Sequence, residues 1–222
     1  MNLGYQLDPA YVVRHLGELG DGLAWTLVLT TIGLCGGIIA GLALGAVRAY
    51  RLPVFSNLVA AFVELIRNTP LFVQIFFLYF GLPKIGMRAS AFEVACASLI
   101  IWGAAYNAEN YRAALLAVPY QYEEAGRALG LGEMRTFWSI RLPIAIRFAM
   151  PSVTNISVET LKNSALMLAI SFPELTDTAI NLVAVSFRVF ELFIVIGITY
   201  LVLAASLTQL MRSVEHRLAW PA

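Results

Sequence analysis

The sequence predicts an all-α integral membrane bundle of about five transmembrane helices, N-terminus outside and C-terminus inside. A short cytoplasmic coupling helix is expected between the third and fourth spans. Three observations predict this. Of 222 residues 59% are hydrophobic and 13% charged, with a mean hydropathy of +0.76, whereas soluble domains carry about 25% charged residues. The apolar residues come in long blocks, the longest uncharged one running from Gly22 to Val47. The basic residues are unevenly shared between alternate connections.

The first span, about 22–47, exceeds the roughly 20 residues needed to cross ~30 Å of hydrocarbon. It follows Asp8, Glu18 and Asp21 rather than a basic leader, so it is expected to stay in the mature protein rather than act as a secretory signal. Gly33, Gly37, Gly41 and Gly45 recur along it every four residues, a spacing that lets another helix backbone approach closely. The spacing does not say whether that helix belongs to the same subunit. The second span, about 57–82, contains Glu64 and Arg67, and Pro70 falls inside it after Arg67-Asn68-Thr69. A kink there frees backbone groups beside polar side chains, as in the interrupted helices that line transporter cavities, or is simply structural. The third span, about 91–117, has Glu109 and Arg112 near its far end. The fourth, about 145–170, holds Glu159 and Lys162, and the fifth is about 191–211. Lone charges inside a bundle face its interior and usually mark function. Pro53 and Pro83 fall in loops, and Pro143 and Pro151 near the start of the fourth span, where a missing N–H costs little.

With the N-terminus outside, inner connections hold Arg48, Arg51, Arg127, Arg135, Arg141, Arg147, Arg212 and Arg217. Outer ones hold only Arg14, Lys84, Arg88 and Arg188, as the positive-inside rule requires. The net charge of +1 includes no basic block, which argues against a nucleic-acid partner. Cys35 and Cys96 lie singly in apolar blocks and His15 and His216 near opposite ends. No metal site or catalytic constellation is expected.

The connection 119–143 carries the most information. Residues 121–129 are good helix formers with Glu123 and Glu124 early, where the helix dipole favours acids. Gly130 stands where a left-handed cap ends a helix, and a second short stretch leads to Pro143. This predicts a helix lying along the cytoplasmic face.

Here the chain resembles a known family. Glu124-Ala125-Gly126, three residues, Gly130, nine residues and Ile140-Arg141-Leu142-Pro143 resemble the "EAA" loop of ABC-importer permeases. Glu64-Leu65-Ile66-Arg67-Asn68-Thr69-Pro70-Leu71-Phe72-Val73-Gln74 is similar to the signature of their polar amino-acid uptake subfamily, the histidine/glutamine/glutamate-type permeases. Ala105–Arg112 and Leu161-Lys162-Asn163-Ser164 also fit. The resemblance covers about residues 20–215 and makes 1–222 a single permease domain. Gly126 departs from the alanine usual at that place, and Gln121-Tyr122 from the usual glycine-glutamine. The glycine adds flexibility and is expected to affect only how the partner is gripped.

The resemblance implies a transmembrane subunit of an ATP-driven importer in the bacterial cytoplasmic membrane, carrying a polar amino acid and doing no chemistry itself. No G-x-x-x-x-G-K-[ST] segment is present, so ATP and magnesium belong to a partner ATPase dimer. The ATPase-coupling residues are then Tyr122, Glu123, Glu124, Ala125, Gly126, Arg127, Ala128, Leu129, Gly130, Leu142 and Pro143. A second permease, identical or a sister protein, completes the pathway, and an extracytoplasmic binding protein delivers cargo near Lys84–Arg88 and Pro173–Arg188. Substrate-path candidates are Glu64, Arg67, Asn68, Thr69, Gln74, Glu109, Glu159, Lys162, Asn163 and Ser164. Cations and amides suit a carboxylate, acids an ammonium. The competing arrangement pairs Glu109 with Arg112 and Glu159 with Lys162 as structural ion pairs. Alternatives are an acidic amino acid (glutamate or aspartate), a sulfur-containing one or an opine as cargo, or a carrier driven by an ion gradient.

Overall fold

The computed structural model describes residues 7–218; the ends of the 1–222 domain, residues 1–6 and 219–222, lie outside them. Ten α-helices occur among the described residues: α1 (Pro9–Arg14), α2 (Leu16–Ala49), α3 (Phe55–Arg67), α4 (Leu71–Gly81), α5 (Ala91–Ala117), α6 (Gln121–Ala128), α7 (Glu133–Thr136), α8 (Leu142–Asn163), α9 (Leu175–Ser186) and α10 (Val189–Leu218). Three of them, α2, α5 and α10, are long and apolar enough to cross a membrane alone. Two bent pairs raise the number of spans to as many as five if each pair counts as one.

The centre of the bundle is the α2–α5 pair. The four-residue glycine repeat answers the question the sequence left open, because it packs within the chain. A Cβ on Gly37 would lie 3.0 Å from Gly103 Cα, and one on Gly41 would lie 2.3 Å from Asn107 Cβ. Only glycine lets the two backbones approach this closely. The predicted third span matches α5 residue for residue because Ser90 and Glu93 form a capping box: Glu93 N–H donates to Ser90 Oγ (3.2 Å) and Ser90 N–H to Glu93 Oε2 (2.7 Å). Buried side chains form three clusters, around Leu99 and Trp102, around Tyr111 and Leu115, and around Leu175 and Leu192.

Three expectations need correction. The second span, 57–82, is not one straight helix: α3 and the α4 stretch meet at 106°. The 13 residues of α3 give only about 20 Å, and Pro70, extended at ψ 134°, has no N–H to continue the ladder. Pro151 is not at a helix start but inside α8. Helical structure runs on from Glu133, through a π turn at Phe137–Arg141, so the helix is already established before residue 145. Residues 173–188, read as an outer connection, instead contain α9, set at 47° to the preceding helical stretch.

Candidate translocation cleft and inner-face helix

Gln74 builds the break in the second span. Its Nε2 donates to Ile66 O (2.8 Å), Thr69 O (3.0 Å) and Thr69 Oγ1 (2.9 Å). Ile66 O is the carbonyl that residue 70 would have served in a continuous helix, and Pro70 has nothing to donate. The Gln74 side chain thus replaces the lost backbone donor, while its own Oε1 is buried without a partner. Gln74 is a staple for the bend rather than a liner of the polar cleft that the bend creates.

That cleft has a volume of about 630 Å³ and brings Arg67, Asn68 and Thr69 from the break together with Glu159, Lys162 and Asn163 from the end of α8. Tyr106 and Trp102 of α5 form its floor. The Arg67 guanidinium lies 5.3 Å from the Tyr106 ring centroid, a cation–π distance. A second, adjoining cleft of about 370 Å³ shares Arg67, Tyr106 and Glu159 and adds Asn110, Ser152 and Asn155. Tyr106 stands 11 residues before the end of α5, about 16 Å along its axis and so near half of a ~30 Å hydrocarbon layer. Among the described residues no ion pair engages Arg67, Glu159 or Lys162, so the Glu159–Lys162 pair expected as an alternative does not form. Unpaired charges at this depth are tolerated only where they meet water or another polar surface. This face is therefore not a lipid face.

The other path candidates lie elsewhere. Glu109 is held by Arg48 and Arg112, with Arg112 Nε at 3.0 Å; it touches the smaller cleft but its carboxylate is taken. Ser164 is buried and donates to Leu161 O (2.7 Å). Glu64 is exposed on α3 and lines neither cleft.

The short helix between the third and fourth spans forms as its sequence directs. α6 ends at Gly130 in the left-handed region (φ +74°), with Leu131 N–H reaching back to Gly126 O (3.0 Å). Its inner side is fixed by an ion pair from Glu123 to Arg141. Arg141 also donates to Leu115 O at the end of α5 (3.2 Å) and sits 5.0 Å from the Tyr50 ring. Gly126 faces this inner side, where a Cβ would meet Ile140 at 3.0 Å and Thr136 at 3.1 Å. This corrects the expectation that it touches the partner: the glycine sets how closely α6 lies on its own chain. Tyr122, Glu124, Ala125, Ala128 and Leu129 are exposed, as are Met134 and Trp138 beside them. Leu142 is buried and Pro143 exposed.

Sequence reasoning missed a buried polar knot around Glu174. Its carboxylate accepts from Thr176 N–H (2.9 Å), Asp177 N–H (2.8 Å) and Tyr200 Oη (2.9 Å), while Leu175 N–H donates to Thr26 Oγ1 (3.1 Å). It caps α9 and ties α2, α9 and α10 together. The only local signal was an acid just before Leu-Thr-Asp, the place of a helix cap; the distant partners leave no trace in the sequence.

Residues 33–220 match the family described as "Binding-protein-dependent transport system inner membrane component". The chain is 32% identical over 215 residues to the glutamine transport system permease protein GlnP of Escherichia coli strain K12, covering 96% of this chain and 98% of that one. It is 34% identical over 211 residues to the probable glutamine ABC transporter permease protein GlnP of Bacillus subtilis strain 168, covering 94% and 97%. Among solved structures, a chain from the crystal structure of an amino acid ABC transporter with histidines superposes with a TM-score of 0.87 at 31% identity, over 96% of this chain and 100% of that one.

Proposed function

Because this chain belongs to the family of binding-protein-dependent transport system inner membrane components, we propose that it is the translocating subunit of an ATP-driven importer of a polar amino acid. As a multi-pass inner-membrane permease component it is not an enzyme, since the ATPase of such systems is a separate subunit. The observation that carries the cargo reading is the cleft of about 630 Å³, in which Arg67 from the α3–α4 break and Lys162 and Asn163 of α8 share one cavity with Glu159. The first three match a carboxylate and the acid matches an ammonium, the two groups every amino acid presents. Matching relatives are named for glutamine, for octopine and for an amino acid not further specified; what they share is an amino-acid cargo, and neither an acidic cargo nor an opine is better supported than a polar amino acid. The gradient-driven carrier loses ground for a separate reason: the relatives are ABC permeases.

The cleft opens on one side of the chain, and its charges need a polar cover. A second permease, identical or sister, supplies that cover and closes the path. The N-out, C-in orientation rests on the eight inner against four outer basic residues. It puts α6 on the cytoplasmic side, where its exposed Tyr122, Glu124, Ala125 and Leu129 surface meets a groove of the partner ATPase, which binds ATP and magnesium. The bundle is then moved through the Glu123–Arg141 pair: Arg141 lies at the start of α8 and holds the end of α5. Those two helices carry Glu159, Lys162 and Tyr106, so a rigid shift of α6 moves two walls of the cleft together.

The test is uptake of a labelled amino acid into proteoliposomes holding the chain with its ATPase, its second permease and its binding protein. Glu159→Gln and Lys162→Met should each lower uptake about tenfold, an expected loss of ~1.4 kcal/mol of cargo stabilisation, with thermal stability unchanged. Wild-type uptake by both variants would remove the cleft from the path.

A further inference from the structure

At the corner between α2 and α3 lies a third cleft, of about 440 Å³, outside the proposed transport path. It is lined by Arg48, Arg51 and Arg112 together with Ser56 and Asn57. One carboxylate, Glu109, serves both Arg48 and Arg112, while Arg51 has no ion-pair partner among the described residues. Three guanidinium groups against one acid leave a net charge of about +2 facing the cavity. The corner is shaped by two left-handed residues, Arg51 (φ +50°) and Val54 (φ +66°); the first N–H groups of α3 are taken by Pro53 O (2.7 Å) and Leu52 O (3.0 Å), so the positive field of the cleft comes from its arginines. Leu52 and Val54 (70% exposed) bring apolar side chains open to the surroundings to its lining, and Phe55 and Leu58, next along the chain, are exposed as well.

We propose that this cleft seats the phosphate of an anionic phospholipid of the inner leaflet, with Arg51 as its free cation and the apolar rim against the acyl chains. A soluble phosphate shares the headgroup chemistry but makes no use of the rim; basic pockets between spans at the cytoplasmic surface are suited to lipid headgroups. The placement on the inner leaflet rests on the orientation given above, whereas binding in detergent does not depend on it, nor on cargo or transport. A failed lipid measurement therefore leaves the function standing, and a failed uptake assay leaves this site standing.

The experiment is native mass spectrometry of the full chain, purified with the subunits that accompany it, stripped of lipid and titrated with phosphatidylglycerol, phosphatidylcholine or inorganic phosphate. Phosphatidylglycerol should bind one per chain and at least tenfold tighter than phosphatidylcholine. Arg51→Gln should weaken it about fivefold, the order expected for one arginine at a lipid surface. Arg51→Lys should retain it, and Arg212→Gln, at the far end of α10, should leave it unchanged. Equal binding of the two lipids, unchanged affinity in Arg51→Gln, or displacement of the lipid by inorganic phosphate at matched concentration would each overturn the proposal.

Discussion

Replacing Gln74 with leucine removes the two N–H groups that serve Ile66 O, Thr69 O and Thr69 Oγ1. Thr69 Oγ1 keeps its own bond to Leu65 O (2.8 Å), so it loses little. Ile66 O loses its replacement donor, because Pro70 cannot supply one. An unsatisfied buried carbonyl costs about 1–3 kcal/mol. The variant also removes the buried, partnerless Oε1 of Gln74, which returns about 1 kcal/mol of that. The net loss is about 0–2 kcal/mol, and for a chain of this size each kcal/mol corresponds to a melting shift of roughly 2–4 °C. A fall of no more than about 8 °C in a detergent thermal-shift assay is expected. Uptake should fall further than stability alone explains, because the 106° break positions Arg67, Asn68 and Thr69 in the cleft. Gln74→Glu should be worse than Gln74→Leu, since it sets carboxylate oxygens against three acceptors. A Gln74→Leu protein that melts and transports like wild type would refute the staple.

Other expected outcomes follow from single contacts. Gly41→Leu puts a Cβ 2.3 Å from that of Asn107, so α2 must part from α5. The variant should fail to accumulate as folded protein in membranes, whereas Gly17→Ala, with open space around it, should accumulate normally. Glu174→Leu strips the cap of α9 and leaves Tyr200 without its acceptor; a cap alone is worth about 1 kcal/mol, so melting should drop by at least ~2–4 °C, with Glu174→Gln falling between it and wild type. Glu123→Gln weakens an ion pair in which the Glu123 side chain is 18% exposed. It should cost only about 1 kcal/mol of stability, yet lower transport per ATP hydrolysed at least threefold.

What the sequence made legible is what depends on local pattern. Hydropathy located the three unbroken long helices α2, α5 and α10, the Ser90–Glu93 spacing fixed the start of α5, and Gly130 marked the end of α6. The α2 repeat announced a close helix contact but not its partner, since Gly37 meets Gly103 across 66 residues of chain. The 57–82 block was readable as interrupted but not as folded back: Pro70 signals a break, and its angle is set by what packs on both legs. α9 was hidden because its 12 residues are too few to register as a span and follow a proline. Of the cleft, the residue types were legible and their grouping was not. Glu109 looked like Glu159 in sequence, and only the arrival of Arg48 from another helix separates a structural acid from an open one. Gly126 looked like part of a docking surface because the motif was linear, while the helix turns that position inward.

The account depends on α6 being the handle by which an ATPase outside the membrane moves this bundle. A photo-crosslinking residue at Leu129, which is 78% exposed, and another at buried Gly126 test this directly in the assembled transporter. The Leu129 probe should link to the ATPase subunit in inside-out vesicles, and the link should be lost when the ATPase is stripped off, while the Gly126 probe links only within the chain. Labelling of Leu129 from the outer face, or a Leu129 probe that captures only lipid in the intact complex, would contradict the account.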